Sequence, residues 1–130
     1  MAALYTLSKN ECLSSRKLID KIFKREGELI SKFPVSFIFL EHPVLEPVRA
    51  QVLFSVPAKK VKQAHDRNRI KRQMKEIYRL NKPLLYEAIA TVKDRQYICC
   101  LMFNQKVGLE FEDLESKVKF VLNEFVKKIS

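Results

Sequence analysis

The chain has 130 residues, 47% of them hydrophobic, and a formal net charge of +10. This length predicts a single domain, residues 1–130, whose core needs neither disulfides nor a structural metal, and the hydrophobic fraction excludes a disordered chain. No apolar run approaches the roughly 20 residues of a membrane span, and the N-terminal run "MAALYTLSKN" lacks the features of a signal peptide. We therefore expect a cytoplasmic globular protein without a membrane partner.

The three cysteines do not indicate a disulfide framework. Cys99 and Cys100 are adjacent in the apolar run "YICCLMF", and neighbouring residues on a strand point to opposite faces. We expect buried free thiols in a reducing compartment.

The first half of the chain predicts one helix and two strands. Apolar residues at helical spacing indicate a helix within residues 13–27, and Ser14 or Ser15 can cap its N-terminus. The alternating run Val35–Leu40 predicts a strand, and Arg49–Val56 predicts a second. Two prolines separate the strands.

The second half predicts a helix-rich arrangement around one buried strand. A central helix is expected at about His65–Asn81, and Pro83 suits the first turn of a further short helix. The residues of Tyr97–Phe103 are apolar throughout, so both faces of a strand formed by this run would be apolar. This pattern predicts a strand that is covered on both sides. An apolar stripe predicts a last helix over Phe111–Ile129. Together these elements predict an α+β sandwich of helices on a sheet.

The positive charge is concentrated around the central helix. The segment Lys59–Lys82 contains ten basic residues and only two acidic ones, Asp66 and Glu76, so its net charge is +8. So few acids cannot neutralise the run by pairing within the helix. A concentrated basic field favours a polyanionic partner, either nucleic acid or an acidic membrane surface.

A helical wheel divides the central helix into two sides. Ile70, Met74 and Ile77 share one side, which we expect to face the core. This core-type side argues against a membrane-surface helix and favours nucleic acid. The cations of the neighbouring stripe are Arg67, Lys71, Lys75 and Lys82, with Asn68 and Arg79 on its flank, whereas Arg72 lies at its far edge and Arg69 projects elsewhere.

The run "RNRIKR" within "AKKVKQAHDRNRIKRQMKEIYR" closely resembles the protein subunit of bacterial ribonuclease P. That family shows two lysines after a strand, a short loop and then an R-N-R-x-K-R helix. The N-terminal run "YTLSKNECLSSRKLIDKIFKREG" and the strand "VLFSV" also fit, so the resemblance covers nearly the whole chain. The matching residues of the central motif are Lys59, Lys60, Arg67, Asn68, Arg69, Lys71 and Arg72.

The resemblance implies a specific fold. The family has a four-stranded sheet with helices in the order αβββαβα, similar to the second domain of ribosomal protein S5, with a left-handed βαβ crossover. Periodicity alone locates three strands, leaves the fourth unplaced and favours a right-handed crossover.

The resemblance also implies a function. In the family the RNA subunit is the catalyst and works with magnesium ions, which the RNA mainly binds. The protein binds that RNA and holds the 5′ leader of precursor tRNA in a cleft between the central helix and the sheet. No catalytic residue, protein-bound metal or DNA partner is therefore expected.

The implied site residues fall into two groups. The expected RNA-binding residues are Lys59, Lys60, Arg67, Asn68, Arg69, Lys71, Arg72, Lys75 and Arg79, of which Arg67, Asn68, Lys71 and Lys75 face the leader, and Arg69 and Arg72 serve the catalytic RNA or brace the fold. The expected residues of the leader cleft are Ile19 and Phe23 on the first helix and Val35 and Phe37 on the first strand.

Two other functions stay open at this point. A general single-stranded RNA-binding or ribosome-associated protein needs the same basic helix but no ribozyme. A metal-dependent nuclease acting alone is disfavoured, because His42 and His65 have no evident catalytic partner in the sequence.

Overall fold

The computed structural model describes residues 7–24, 27–44, 48–91, 95–106 and 108–129. The element order αβββαβα is confirmed. A short 3-10 turn, Lys9–Glu11, precedes the first helix. The helices are α1 (Arg16–Phe23), α2 (Ala64–Ala90) and α3 (Phe111–Ile129), and the strands are β1 (Glu28–Lys32), β2 (Val35–Glu41), β3 (Ala50–Ser55) and β4 (Tyr97–Phe103).

The four strands form one sheet in the order β1-β2-β4-β3. β2 runs antiparallel to both β1 and β4, whereas β3 runs parallel to β4. The parallel pair is joined by α2, which is the predicted βαβ crossover. β1 and β3 are the two edges of the sheet, and the handedness of the crossover stays a prediction of the resemblance.

β1 is the strand that the residue pattern left unplaced. Only Ile30 is buried among its five residues, so the strand carries almost no hydrophobic alternation. Its start is fixed by a close approach of two main chains. A Cβ on Gly27 would lie 2.4 Å from the main-chain oxygen of Phe39, so a larger residue there would force β1 away from β2.

Helices cover the two faces of the sheet unequally. α2 and α3 pack on one face, where the Phe125 ring lies 4.7 Å from Phe39 and 5.3 Å from Phe37. α1 and Leu13 pack on the other face, against a smaller cluster that includes Ile98 and Cys100. β4 is therefore covered on both sides, as its continuous apolar sequence predicts.

α2 is one continuous helix of 27 residues, so the predicted break before Pro83 is wrong. A proline inside a helix removes a hydrogen bond and costs ~3 kcal/mol. Beyond the proline, Leu85 and Ile89 are fully buried. Burying one such side chain contributes about 1.5–3 kcal/mol, so the two together offset the cost of the proline.

A buried ion pair ties the N-terminal segment, residues 7–15, to α2. Lys82 is only 3% exposed, and its Nζ lies 2.9 Å from Oε2 of Glu11. Tyr86 donates its hydroxyl to the same carboxylate, and Ser8 donates both its main-chain N–H and its hydroxyl. The expectation that Lys82 joins the exposed cationic stripe is therefore wrong, because its charge serves the fold.

The same contacts keep Glu11 ionised. Burial raises the pKa of the Glu11 carboxyl, but the hydrogen bonds from Tyr86, Ser8 and Lys82 together outweigh burial and hold the pKa below its ordinary value. For Tyr86, burial and then the bond to Glu11 raise the pKa of the phenol. The network is thus a carboxylate, an ammonium and a neutral phenol at neutral pH.

The three cysteines are free thiols, as expected, but Cys12 is only half-buried, contrary to the expectation of buried thiols. Cys99 and Cys100 are buried, and burial raises the pKa of both. Across the residues that the structure describes, no helix has the length and apolar character needed to cross a membrane.

Glu11→Gln should destabilise the protein strongly, because it removes the negative charge that lies 2.9 Å from the buried Lys82 ammonium. Breaking a buried pair in this way costs about 3–5 kcal/mol, which for a domain of this size lowers Tm by roughly 10 °C or more. Thermal unfolding monitored by circular dichroism measures the change. The matched control is Glu76→Gln, which removes an acid from the exposed pair with Arg79 and should change Tm little. Equal losses in the two variants would contradict the role of the buried pair.

The same pair predicts how stability depends on pH. Because the folded protein holds the pKa of Glu11 below 4.5, its stabilisation is complete above that value and is lost as pH falls through the lower folded-state pKa. The difference in Tm between wild type and Glu11→Gln should be constant near neutral pH and shrink in acid below about pH 4.5. Unfolding scans of both proteins over that range test it, and a difference that does not vary with pH would contradict it.

Candidate nucleic-acid interface

An open groove with a volume of about 450 Å³ lies between α2, β3 and the N-terminal segment. Four polar side chains of α2 line one wall, and apolar residues of β3 and of the N-terminal segment line the rest. None of these described lining residues is acidic. The complete lining is Cys12, Leu13, Val52, Leu53, Phe54, Asn68, Lys71, Arg72 and Lys75.

The rotation of α2 sets which side chains reach the groove. Ile70, Met74 and Ile77 are at most 3% exposed and fix the core-facing side of the helix, as the wheel predicts. Residues three and four apart share one side of a helix, so Asn68, Lys71, Arg72 and Lys75 form a single wall. Lys71, Arg72 and Lys75 take part in no ion pair with another described residue. Their charges therefore face the groove uncompensated.

Arg72 is closer to the centre of this site than the sequence indicates. The wheel places it at the far edge of the cationic stripe, whereas in the structure it lines the groove beside Lys71 and Lys75. A wheel gives the angle between side chains but does not show where the neighbouring elements lie. Here β3 and the N-terminal segment lie on the side of α2 that includes Arg72.

Arg67 has a different position from the one expected. Its Nη1 donates to the main-chain oxygens of Val61, at 2.9 Å, and Lys62, at 2.8 Å. These carbonyls belong to the loop that leads into α2, and Arg67 is absent from the groove lining. The structure therefore shows Arg67 bracing the loop and not lining the groove.

The other expected RNA-binding cations lie outside the groove. Lys59 and Lys60 are exposed in the turn before α2. Arg69 projects towards the loop between β4 and α3, where its Nη2 lies 3.7 Å from the position that a Cβ on Gly108 would occupy. Arg79 donates to both carboxylate oxygens of Glu76, so one charge of the basic run is compensated within the helix.

Val35 and Phe37 do not line an open cleft, contrary to expectation. Both side chains are 0% exposed and lie in the core on the face covered by α2 and α3. Successive side chains of a strand point to opposite faces of the sheet. Residues one position away from Val35 and Phe37 therefore lie on the face opposite to theirs. The next residues along the strand, Ser36 and Ile38, point to the opposite face, where α1 packs.

The two expected residues of α1 occupy that opposite face. Ile19 is half-buried and packs in the cluster beneath α1. Phe23, at the last position of the helix, is 46% exposed and offers an aromatic surface to solvent. Neither residue belongs to the groove lining, so the structure separates the α1 positions from the cationic wall.

No catalytic constellation is present among the described residues. Within them, no three side chains of His, Cys, Asp and Glu come together to hold a metal ion. His65 lies 3.3 Å from Asp66 in the exposed first turn of α2. His42 contacts the main-chain oxygen of Pro43.

Sequence reasoning missed one wall of the groove. Cys12 and Leu13 contribute to the lining although more than 50 residues separate them from α2. Their position depends on Leu13 N–H, which donates to Val52 O at 2.9 Å, and on the buried Glu11 carboxylate. Neither contact leaves a local pattern in the sequence.

Comparisons with known proteins place this architecture in a family. The family model described as ribonuclease P matches residues 7–126. A ribonuclease P protein component of Porphyromonas gingivalis is 33% identical over 101 residues, covering 78% of this chain and 71% of the relative. One from Chlorobaculum tepidum is 37% identical over 86 residues, covering 65% of this chain and 56% of the relative. The chain thus spans little more than half the length of that relative.

A solved structure agrees with the fold. The RNase P protein of Staphylococcus aureus superposes with a TM-score of 0.67, covering 90% of this chain and 96% of that one at 15% identity. At so low an identity, the superposition bears on the fold alone. With the family match over residues 7–126, the chain belongs to the ribonuclease P protein family.

Proposed function

We propose that this chain is the RNA-binding protein subunit of ribonuclease P. In this proposal it binds the catalytic RNA and holds the 5′ leader of precursor tRNA, and so assists the endonucleolytic removal of the leader. The observation that carries the proposal is the groove, where Lys71, Arg72 and Lys75 line one wall and none of the described lining residues is acidic.

The chemistry of the groove suits a single RNA strand. Lysine and arginine neutralise phosphates, and the arginine fork can bind one phosphate through two hydrogen bonds. The Asn68 amide can both donate and accept, towards a sugar or a base edge. The opposite wall is formed by apolar residues and by the edge of β3, which suits unpaired bases better than it suits a second phosphate chain.

Magnesium fits this protein poorly as a resident cofactor. The cationic wall repels a divalent cation, and the described residues bring together no cluster of three ligating side chains. We therefore assign magnesium to the RNA partner, and with it the chemistry of cleavage. The protein then contributes position and charge compensation.

The cations outside the groove are assigned to the catalytic RNA. Lys59 and Lys60 are exposed beside the N-terminus of α2, and Arg69 is exposed towards the loop between β4 and α3. They lie apart from the groove lining, so they can contact a second RNA surface while the groove holds the leader. Phe23 is a further candidate for stacking, because its ring is exposed.

Reconstitution tests the proposal directly. Purified protein is incubated with precursor tRNA in magnesium, with and without ribonuclease P RNA. Cleavage that requires the RNA and improves when the protein is added supports the proposal. Binding without any effect on cleavage would indicate a general single-stranded RNA-binding protein, and cleavage by the protein alone would indicate a nuclease.

Lys71→Ala combined with Lys75→Ala should weaken binding of precursor tRNA selectively. Two lost charge-assisted contacts, at about 1.5–3 kcal/mol each, correspond to a loss of roughly 100-fold or more, while mature tRNA, which has no leader, should bind as before. Equilibrium binding of both RNAs to the reconstituted holoenzyme measures the ratio. The control is Lys127→Ala with Lys128→Ala, which removes the same charge at the opposite edge of the sheet, where Lys128 pairs with Glu28 of β1. Equal losses on precursor and mature tRNA would contradict a leader groove.

The salt dependence of binding should report the same contacts. Each phosphate contact to a single strand contributes about −0.7 to the slope of log K against log salt concentration. The double variant at Lys71 and Lys75 should therefore have a slope shallower by about 1.4 than wild type on precursor tRNA. Titrations at several salt concentrations measure it, and an unchanged slope would mean that these lysines contact no phosphate.

A further inference from the structure

β3 is an edge strand, and its main-chain groups alternate in direction. Tyr97 N–H donates to Arg49 O at 3.1 Å, so the odd-numbered residues of β3 direct their main-chain groups towards β4. The even-numbered residues direct theirs outward. An independent bond confirms this assignment, because Val52 O accepts from Leu13 N–H at 2.9 Å on the outer side.

The N-terminal segment covers only part of this edge. Cys12 bridges to Val52, after which the chain leaves the edge and enters α1 at Arg16. Phe54 is the next residue whose N–H and C=O point outward. Among the residues that the structure describes, neither main-chain group has a hydrogen-bond partner.

The groove opens on this part of the edge. Leu53 packs on the α1 side of the sheet, whereas Phe54 packs on the other side, with its ring 5.6 Å from Tyr78. Residues from both faces of a strand line one groove only where the groove runs along the edge of that strand. Phe54 N–H and C=O thus face the same space as the cations Lys71 and Lys75.

A donor and an acceptor side by side suit a nucleobase. A phosphate can accept from Phe54 N–H but offers nothing to its C=O, whereas the hydrogen-bonding edges of unpaired bases offer both kinds of group. A peptide added as a further strand needs a row of free main-chain groups. Beyond Val52, Phe54 is the only outward-facing residue within β3.

We propose that the open edge of β3 reads one nucleobase of the strand in the groove. Phe54 N–H donates to the base and Phe54 C=O accepts from it, while Lys71, Arg72 and Lys75 hold the neighbouring phosphates. The inference rests on the proposed function, and it adds a position at which the main chain contributes to the choice of base.

Replacing the amide of Phe54 by an ester tests the donor without changing the side chain. Phenyllactic acid at position 54 removes the N–H and should weaken binding of precursor tRNA about three- to tenfold, the value of one neutral hydrogen bond. Its Tm should fall only slightly, because Phe54 N–H has no partner among the described residues and the ester merely weakens the Leu53 C=O that faces β4. The control is an ester at Gln51, whose N–H faces β4, and which should lower Tm while the folded protein keeps its affinity.

Ordinary mutagenesis gives a second pair of variants. Phe54→Pro removes the N–H and the ring at an edge position that tolerates proline, whereas Phe54→Ala removes the ring alone. The proline variant should bind precursor tRNA more weakly than the alanine variant, and equal affinities would overturn the proposal.

Abasic leaders identify the base that is read. At one leader position, loss of the base and loss of the Phe54 N–H should not add, whereas at the other positions the two effects should add. Additivity at every position, or an ester protein that binds like wild type, overturns the inference. In that case, a loss of leader-dependent affinity in Lys71→Ala with Lys75→Ala would still support the proposed function, although the base-reading role of Phe54 would be wrong. Competition by an extended polyglutamate peptide that is weakened by the same ester would assign the edge to protein instead.

Discussion

The Glu11 carboxylate joins the N-terminal segment to the C-terminal half of α2, and this connection holds the segment that forms one wall of the groove. Lys82 Nζ lies 2.9 Å from it, and Tyr86 and Ser8 complete its hydrogen bonds. A buried carboxylate is costly unless it is fully paired, so the segment has one well-defined position. Cys12 and Leu13 follow directly and are held as a wall against the edge of β3.

Opposite this wall, α2 combines burial with uncompensated charge. Met74 and Ile77 are fully buried and anchor the helix, which lets Lys71, Arg72 and Lys75 face the groove at the cost of mutual repulsion. Other charges of the helix are used within the protein: Arg67 holds the preceding loop, Arg79 pairs with Glu76 and Lys82 pairs with Glu11. The uncompensated charge of α2 is therefore smaller than the basic sequence indicates, and three of its cations, Lys71, Arg72 and Lys75, lie together along the groove.

The groove also depends on rigid main chain. β3 is held on one side by β4, and its outer side is closed at Val52 and open at Phe54. In the proposed function, fixed cations and fixed main-chain groups on neighbouring elements define the path of the bound RNA without requiring a long loop to become ordered. Such preorganisation reduces the entropy lost on binding.

The sequence by itself determined the limits of β4 and α3, a serine cap for α1 and the cationic character of α2, because each depends on residues close together in the chain. Tertiary structure decided the rest. β1 has one buried side chain and forms because β2 pairs with it, and α2 continues through Pro83 because Leu85 and Ile89 are buried beyond it. Lys82 is buried because it pairs with Glu11. Val35 and Phe37 lie in the core because α3 covers their face of the sheet. Periodicity shows which side chains share a face, but only packing between distant segments decides what that face meets.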